Sequence, residues 1–221
     1  QNMELAVGCE NEDFPTFKNE ILKFHMPEKS FATHKYKFDI YPQKNAFTNT
    51  NGIVYNITSF DYKEKNIAFH GKFNVLHTII NLEYLWNKIR VQGGAYGCGC
   101  KFMQNGFSYF YSYRDPKLAE TYKTFQTLAD EISVFKADER EMTKYILGTI
   151  NELDQPKTNM DKLNAAIGKF YKGISDESLI TQRLEILNTT DEDIRQCQDL
   201  LRMIDCENIC TIGNEQKINA N

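Results

Sequence analysis

Hydrophobic positions along the chain change period several times, and each change marks an expected element. Residues 52–62, GIVYNITSFDY, alternate, with Ile53, Tyr55 and Ile57 on one face and Val54 on the other, which predicts a strand. Over residues 74–89 the period lengthens: Val75, Ile79, Leu82, Trp86 and Ile89 fall at steps of four, three, four and three. That stripe, widened by Leu76, Ile80 and Leu85, predicts a helix buried over most of its circumference. Leu118, Tyr122, Phe125, Ala129 and Ile132 form a similar stripe, and Asp115 with Pro116 is the expected start of that helix.

Further helices are expected from Asp138 to just before Pro156, with Asp138 and Glu141 as a capping box, and near 159–172, 176–188 and 191–204, the last capped by Thr190. Residues 207–213 read as a closing strand, 4–8 as a short buried strand, and 11–24 as a helix with Phe17, Ile21, Leu22 and Phe24 inward. From Met26 to Asn45 the pattern dissolves, so these residues read as a linker with some extended structure. The expected organisation is a preceding domain's end plus linker over 1–45 and an α+β domain over 46–221.

Asn105-Gly106 lies between two apolar runs and predicts a two-residue hairpin of type I′. Pairing Gln104 with Phe107 would set Phe102 against Tyr109, Cys100 against Tyr111 and Cys98 against Tyr113. One face of the first strand then carries Tyr96, Cys98, Cys100 and Phe102, and the other carries Ala95, Gly97 and Gly99, which leaves its backbone bare to a close neighbour. Strands, helix, hairpin, helices and a final strand together predict an α+β fold, with helices packed on one face of a mostly antiparallel sheet.

A net charge of −4, from 26 basic and 30 acidic residues, gives no basic field for nucleic acid or an anionic membrane. No apolar run reaches the roughly 20 residues of a membrane span, and no signal peptide is recognisable. The sequence begins at Gln1 without an initiator methionine, so it reads as a fragment whose targeting information would lie upstream; the expected location is cytoplasmic. The six cysteines form no C-x-x-C pair, and neither H-E-x-x-H nor H-x-x-E-H occurs around the four histidines, so no metal site is expected in these residues.

Three chemical readings fall away on the same grounds. The aromatic run Phe107–Tyr113 could stack bases, but it lacks interleaved Arg and Lys and fits a half-buried strand. Cys98 and Cys100 share a face without further ligands or redox partners. Gly93-Gly94 follows a helix and precedes a strand, the reverse of a phosphate loop. What remains is Arg90 and Tyr96 on either side of that glycine pair. Singly, an arginine at a helix C-terminus suits the dipole and a tyrosine suits a strand; together they form a more specific pattern.

The run LWNKIRVQGGAYGCGC, followed by a hairpin and FSYFYSYRDP, resembles the C-terminal part of insulinase/pitrilysin-type zinc metallopeptidases, and within them the branch containing presequence protease and falcilysin. The likeness spans roughly 46–213. It implies a mitochondrial-processing-peptidase-like domain, the last of four arranged in two halves that close over an unfolded peptide. It implies zinc held in an N-terminal domain outside these residues, with no cofactor here. The partners would be the N-terminal half of the same polypeptide and a peptide substrate, with no nucleic acid and no membrane. By the resemblance, Arg90 and Tyr96 position the substrate or stabilise the transition state, while Gly93, Gly94 and Ala95 let the peptide approach. These residues alone would be inactive. The alternative is a non-catalytic peptide-binding or assembly subunit of the same fold.

Overall fold

The computed structural model describes residues 5–23, 43–204 and 208–220. The elements run α1 (Phe14–Leu22), β1 (Lys44–Asn49), β2 (Val54–Asp61), α2 (Lys72–Ile79) continuing as π-helical turns over Ile80–Val91, β3 (Gly97–Phe102) and β4 (Phe107–Asp115). Then follow α3 (Ala119–Ser133), α4 (Glu139–Leu153), α5 (Asn159–Lys172), α6 (Asp176–Leu187), α7 (Asp191–Gln196), α8 (Gln198–Leu201), β5 (Ile209–Asn214) and α9 (Glu215–Asn219). The chain divides into two compact units, Gln1–Ile40 with Gln155–Ser178, and Tyr41–Asp154 with Leu179–Asn221.

In the first unit, α1 starts at Phe14-Pro15 as its proline suggests, but it buries no side chain. Ile21 is half-buried and Phe17 and Leu22 are exposed, which corrects the inward face expected for them; Phe24 lies outside the described residues. Leu5–Gly8 form no strand and Leu5 is exposed, which corrects the short buried strand expected over 4–8; residue 4 lies outside the described residues. Helix α5 opens with a capping box of Thr158 and Asp161.

The second unit is a five-stranded sheet in the order β1-β5-β2-β4-β3. Its β2–β4, β2–β5 and β3–β4 pairs are antiparallel and β1–β5 is parallel, so the sheet is mixed within an α+β fold. Strand β1 went unread in the sequence because its residues, KNAFTN, are mostly polar and exposed, as suits an edge. The linker expected over 26–45 lies outside the described residues as far as 42, and Lys44 already belongs to β1.

Helices α2 and α3 bury one sheet face. Phe60, Phe102 and Phe110 from the strands pack with Leu76, Ile79 and Leu85, and with Phe125, Leu128 and Ile132 of α3. The Phe110 and Phe125 ring centroids lie 5.6 Å apart. Burying each such side chain is worth about 2 kcal/mol. The inward face of β2 is mixed: Asn56 and Thr58 are buried between Val54 and Phe60, while Ile57 is 37% exposed. Asn56 is tolerated there because its Nδ2 donates to Ser112 Oγ (3.0 Å) and the Lys117 carbonyl (3.1 Å), and its Oδ1 accepts from Thr211 Oγ1 (3.1 Å).

Two sequence expectations fail for a reason that bears on the site. Leu82 and Trp86 are 57% and 46% exposed, whereas Ile80, Leu85 and Ile89 are buried. From Ile80 the helix makes wider turns, so its apolar positions recur at steps of five and four and the 3.6-residue stripe drifts outward. In the hairpin, Gly106 N donates to the Met103 carbonyl and Met103 N to that of Phe107. Only Gly106 has positive φ (+102°), so the turn centres on Gln104-Asn105 and is not type I′. Cys98, Cys100 and Phe102 therefore pair with Ser112, Phe110 and Ser108, one residue from the expected register. The slip turns Tyr109, Tyr111 and Tyr113 to the outer face, opposite Lys101, Gly99 and Gly97.

Two expected helix caps hold, whereas α3 begins at Ala119 and not at Pro116. Asp138 and Glu141, and Thr190 and Asp193, form the reciprocal side-chain bonds of capping boxes. The run expected over 191–204 breaks into α7 and α8 at Cys197, and 205–207, including Cys206, lie outside the described residues. Among the described residues no helix is long and apolar enough to cross a membrane.

Candidate functional site

Helix geometry sets the first residue of the site. The wider turns that expose Trp86 also carry Arg90 outward, and the Arg90 guanidinium carbon stacks 4.1 Å from the Trp86 ring centre. A cation over an indole face is attracted by the ring quadrupole, which here fixes an otherwise free side chain.

The glycine pair then turns the chain from helix to strand. Gly93 is buried, and a Cβ there would sit 2.4 Å from the Ile89 carbonyl oxygen and 3.0 Å from that of Lys88. Gly94 is exposed, at φ +84°, where side chains are disfavoured. Its N–H donates to the Arg90 carbonyl (3.0 Å), and the buried Ala95 donates to that of Ile89 (3.1 Å). The turn thus consumes the helix's last carbonyls and delivers Tyr96, 65% exposed, beside Arg90, whose guanidinium carbon lies 5.9 Å from the Tyr96 ring centre. Arg90 and Tyr96 come together on one outward patch, Gly94 is at its surface, and Gly93 and Ala95 lie beneath.

The patch continues across the sheet. Tyr96 meets Tyr113 edge to face at 5.8 Å, and Tyr113 meets Tyr55 in the same way at 5.2 Å. Between Val54 and Asn56 the β2–β4 register shifts, so that Tyr113 and Arg114 together oppose Tyr55, a β-bulge. Arg114 occupies φ +49°, a conformation that costs a non-glycine residue about 1 kcal/mol. Its guanidinium carbon lies 6.0 Å from the Tyr96 ring centre and 5.9 Å from that of Tyr113. The facing Tyr55 hydroxyl, then Tyr113, raises the Arg114 pKa above its ordinary value. Trp86, Tyr55, Tyr113 and Arg114 were absent from the sequence reading of the site. The bulge left no trace beyond an arginine before Asp-Pro, and the rest looked like core positions.

Asp115, expected to cap α3, instead ends β4 in full burial. It accepts from Lys117 N (2.8 Å) and from Thr121 Oγ1 (2.7 Å), which anchors the chain directly after the bulge. On the inner face, burial pushes the Cys98 thiol up to about 11, assisted by Asp115, and takes Cys100 well above its usual range. These are protonated packing groups at neutral pH. Among the described residues no cluster of three His, Cys, Asp or Glu side chains could hold a metal ion.

Comparison with known proteins gives concordant results. The family described as the PreP C-terminal domain matches residues 45–213. Protein HypA of Clostridium perfringens is 32% identical over 223 aligned positions, covering 100% of this chain and 23% of that protein. Presequence protease 1 of Arabidopsis thaliana, chloroplastic and mitochondrial, is 33% identical over 159 residues, covering 70% of this chain and 14% of that protein. The chain thus spans less than a quarter of the length of either relative. Among solved structures, the inactive domain of a peptidase M16 from Pseudomonas fluorescens superposes with a TM-score of 0.66 at 13% identity, covering 93% of this chain and 51% of that one. At that identity the likeness is one of fold.

Proposed function

The chain belongs to the PreP C-terminal domain family of insulinase-type (M16) metallopeptidases, and from that premise we propose that it is the substrate-positioning last part of a zinc-dependent endopeptidase that encloses and hydrolyses unfolded oligopeptides. Its partner in this reading is the N-terminal half of the same polypeptide. Zinc belongs to that half, where it supplies an activated water. The described residues offer no metal cluster, and the part assigned to them is to bind and orient the peptide.

The observation that carries the proposal is the outward pairing of Arg90 and Tyr96 around a turn of fixed shape. Amide hydrolysis builds negative charge on the carbonyl oxygen. A guanidinium or phenol aimed at that oxygen, or at the neighbouring peptide backbone, stabilises the transition state in a water-poor chamber, and one such donor is worth roughly 3 kcal/mol. Arg90 is pre-aligned by Trp86 and Tyr96 by Tyr113, so little side-chain freedom is lost when the peptide binds. Gly94 leaves the surface of the turn open to the peptide backbone.

The test is hydrolysis of an unfolded peptide by the full-length protein, wild type against Arg90→Ala and Tyr96→Phe, with zinc content measured in each. A fall in kcat/KM of about a hundredfold with zinc retained supports the proposal. Variants that cleave as wild type does remove these residues from the site. An inert, zinc-free wild type would turn the reading to a peptide-binding or assembly subunit.

A further inference from the structure

Arg114 stands where a regular strand would not put it. Along β4, Ser108, Phe110 and Ser112 are buried and Tyr109, Tyr111 and Tyr113 turn outward. Simple alternation would send residue 114 inward with Ser112. The bulge opposite Tyr55 breaks that alternation, and Arg114 joins Tyr113 on the outer face in a backbone conformation that glycine would adopt more readily.

The backbone of the strained residue is tied to the site, since Tyr96 N donates to the Arg114 carbonyl at 3.3 Å. Its guanidinium and that of Arg90 both lie within 6.0 Å of the Tyr96 ring centre. Among the described residues, aromatic rings and the Tyr55 hydroxyl hold Arg114, and rings hold Arg90; neither forms an ion pair with a carboxylate. Two guanidinium forks without a carboxylate partner on one exposed aromatic patch, in a chain of net charge −4, form a place for oxygen acceptors.

We propose that Arg114 is a third peptide-positioning residue, donating beside Arg90 and Tyr96 to backbone carbonyl or carboxylate oxygens of the bound peptide. This rests on the peptidase reading above, and it explains why the bulge carries an arginine instead of a glycine. The distortion aims the side chain.

The experiment uses the full-length protein with Arg114→Gly, which removes the side chain and relieves the backbone, and Arg114→Lys, which keeps the charge without the fork. Arg90→Ala runs in parallel, with zinc content and thermal midpoint recorded throughout. The Gly variant should unfold at or above the wild-type temperature, yet lose about tenfold in kcat/KM, mainly through KM. Lys should recover only part of the loss, and millimolar guanidinium should restore the Gly variant without affecting wild type. Substrates ending in a free carboxylate and in an amide separate the acceptors: an equal loss on both marks backbone carbonyls, and a loss confined to the acid marks the carboxylate. If wild type is active, Arg90→Ala is impaired and Arg114→Gly cleaves normally, the role of Arg114 is refuted while the peptidase reading stands. If the Gly variant loses stability and activity together without guanidinium rescue, Arg114 is structural. An inert wild type overturns both.

Discussion

Placing one methyl group at each of two adjacent glycines separates the two constraints that shape the site's turn. At Gly93 the obstacle is steric, since the added Cβ would meet the Ile89 carbonyl oxygen at 2.4 Å, and that oxygen already accepts the Ala95 N–H. Both groups are backbone, so relief requires moving the helix end or the turn by most of an ångström. Overpacking of that kind costs about 2 kcal/mol, and losing the Ala95 hydrogen bond adds about 1 kcal/mol. At Gly94 the obstacle is the dihedral, φ +84°, with the nearest atom, Pro116 Cγ, at an acceptable 3.4 Å; this costs about 1 kcal/mol. Thermal unfolding followed by circular dichroism should therefore place Gly93→Ala roughly 9 °C below wild type and Gly94→Ala roughly 3 °C below. Peptide hydrolysis by the full-length protein should fall further for Gly93→Ala than for Gly94→Ala, because only the first displaces Tyr96 from Arg90. Equal midpoints for the two variants, or a larger loss at Gly94, would refute the reasoning.

Other outcomes follow from the same geometry. Asn56→Ala removes three hydrogen bonds of a buried side chain and should cost roughly 3 kcal/mol in urea unfolding; a loss below about 1 kcal/mol would contradict the network's role. Asp138→Ala should cost about 1 kcal/mol through the lost capping box of α4, read in the same assay. Cys98, held at about 11 by burial, should alkylate at pH 8 far more slowly than the exposed Cys9, as measured by mass spectrometry. Because Cys98 and Cys197 rise from 9.0 to about 11 and about 12, and Tyr62 from 10.0 to about 12, the unfolded chain releases these protons first. Their contribution to stability is whole below about pH 9 and disappears as pH climbs through 11 to 12, so urea midpoints should fall over that window.

Much of the architecture was legible because local signals and packing agree. The α3 stripe of Tyr122, Phe125, Ala129 and Ile132 is buried as its spacing predicts, and the Thr190 cap is where its residue type places it. What escaped was set by partners distant in sequence. β1 exists because β5 pairs with it. The hairpin register follows one left-handed glycine instead of two positive φ angles. Asn56 is inward because Thr211 and Ser112 satisfy it, a match no spacing reveals. Arg90 and Tyr96 were visible through their motif, whereas Trp86 looked like core and turned outward with the wider helical turns. Arg114 is on the patch only because of a bulge, and a bulge has no periodicity to read.

The central claim is that a peptide lies against Arg90 and Tyr96, and contact can be read directly. A benzophenone amino acid replacing Tyr96 in the full-length protein, irradiated with a labelled unfolded peptide, should yield a covalent adduct at position 96 that excess unlabelled peptide suppresses. The same group at Leu147, on the exposed side of α4, serves as the control and should yield none. Adducts at 147 but not at 96, or at neither position while the wild-type protein cleaves the peptide, would contradict the placement of the substrate on this patch.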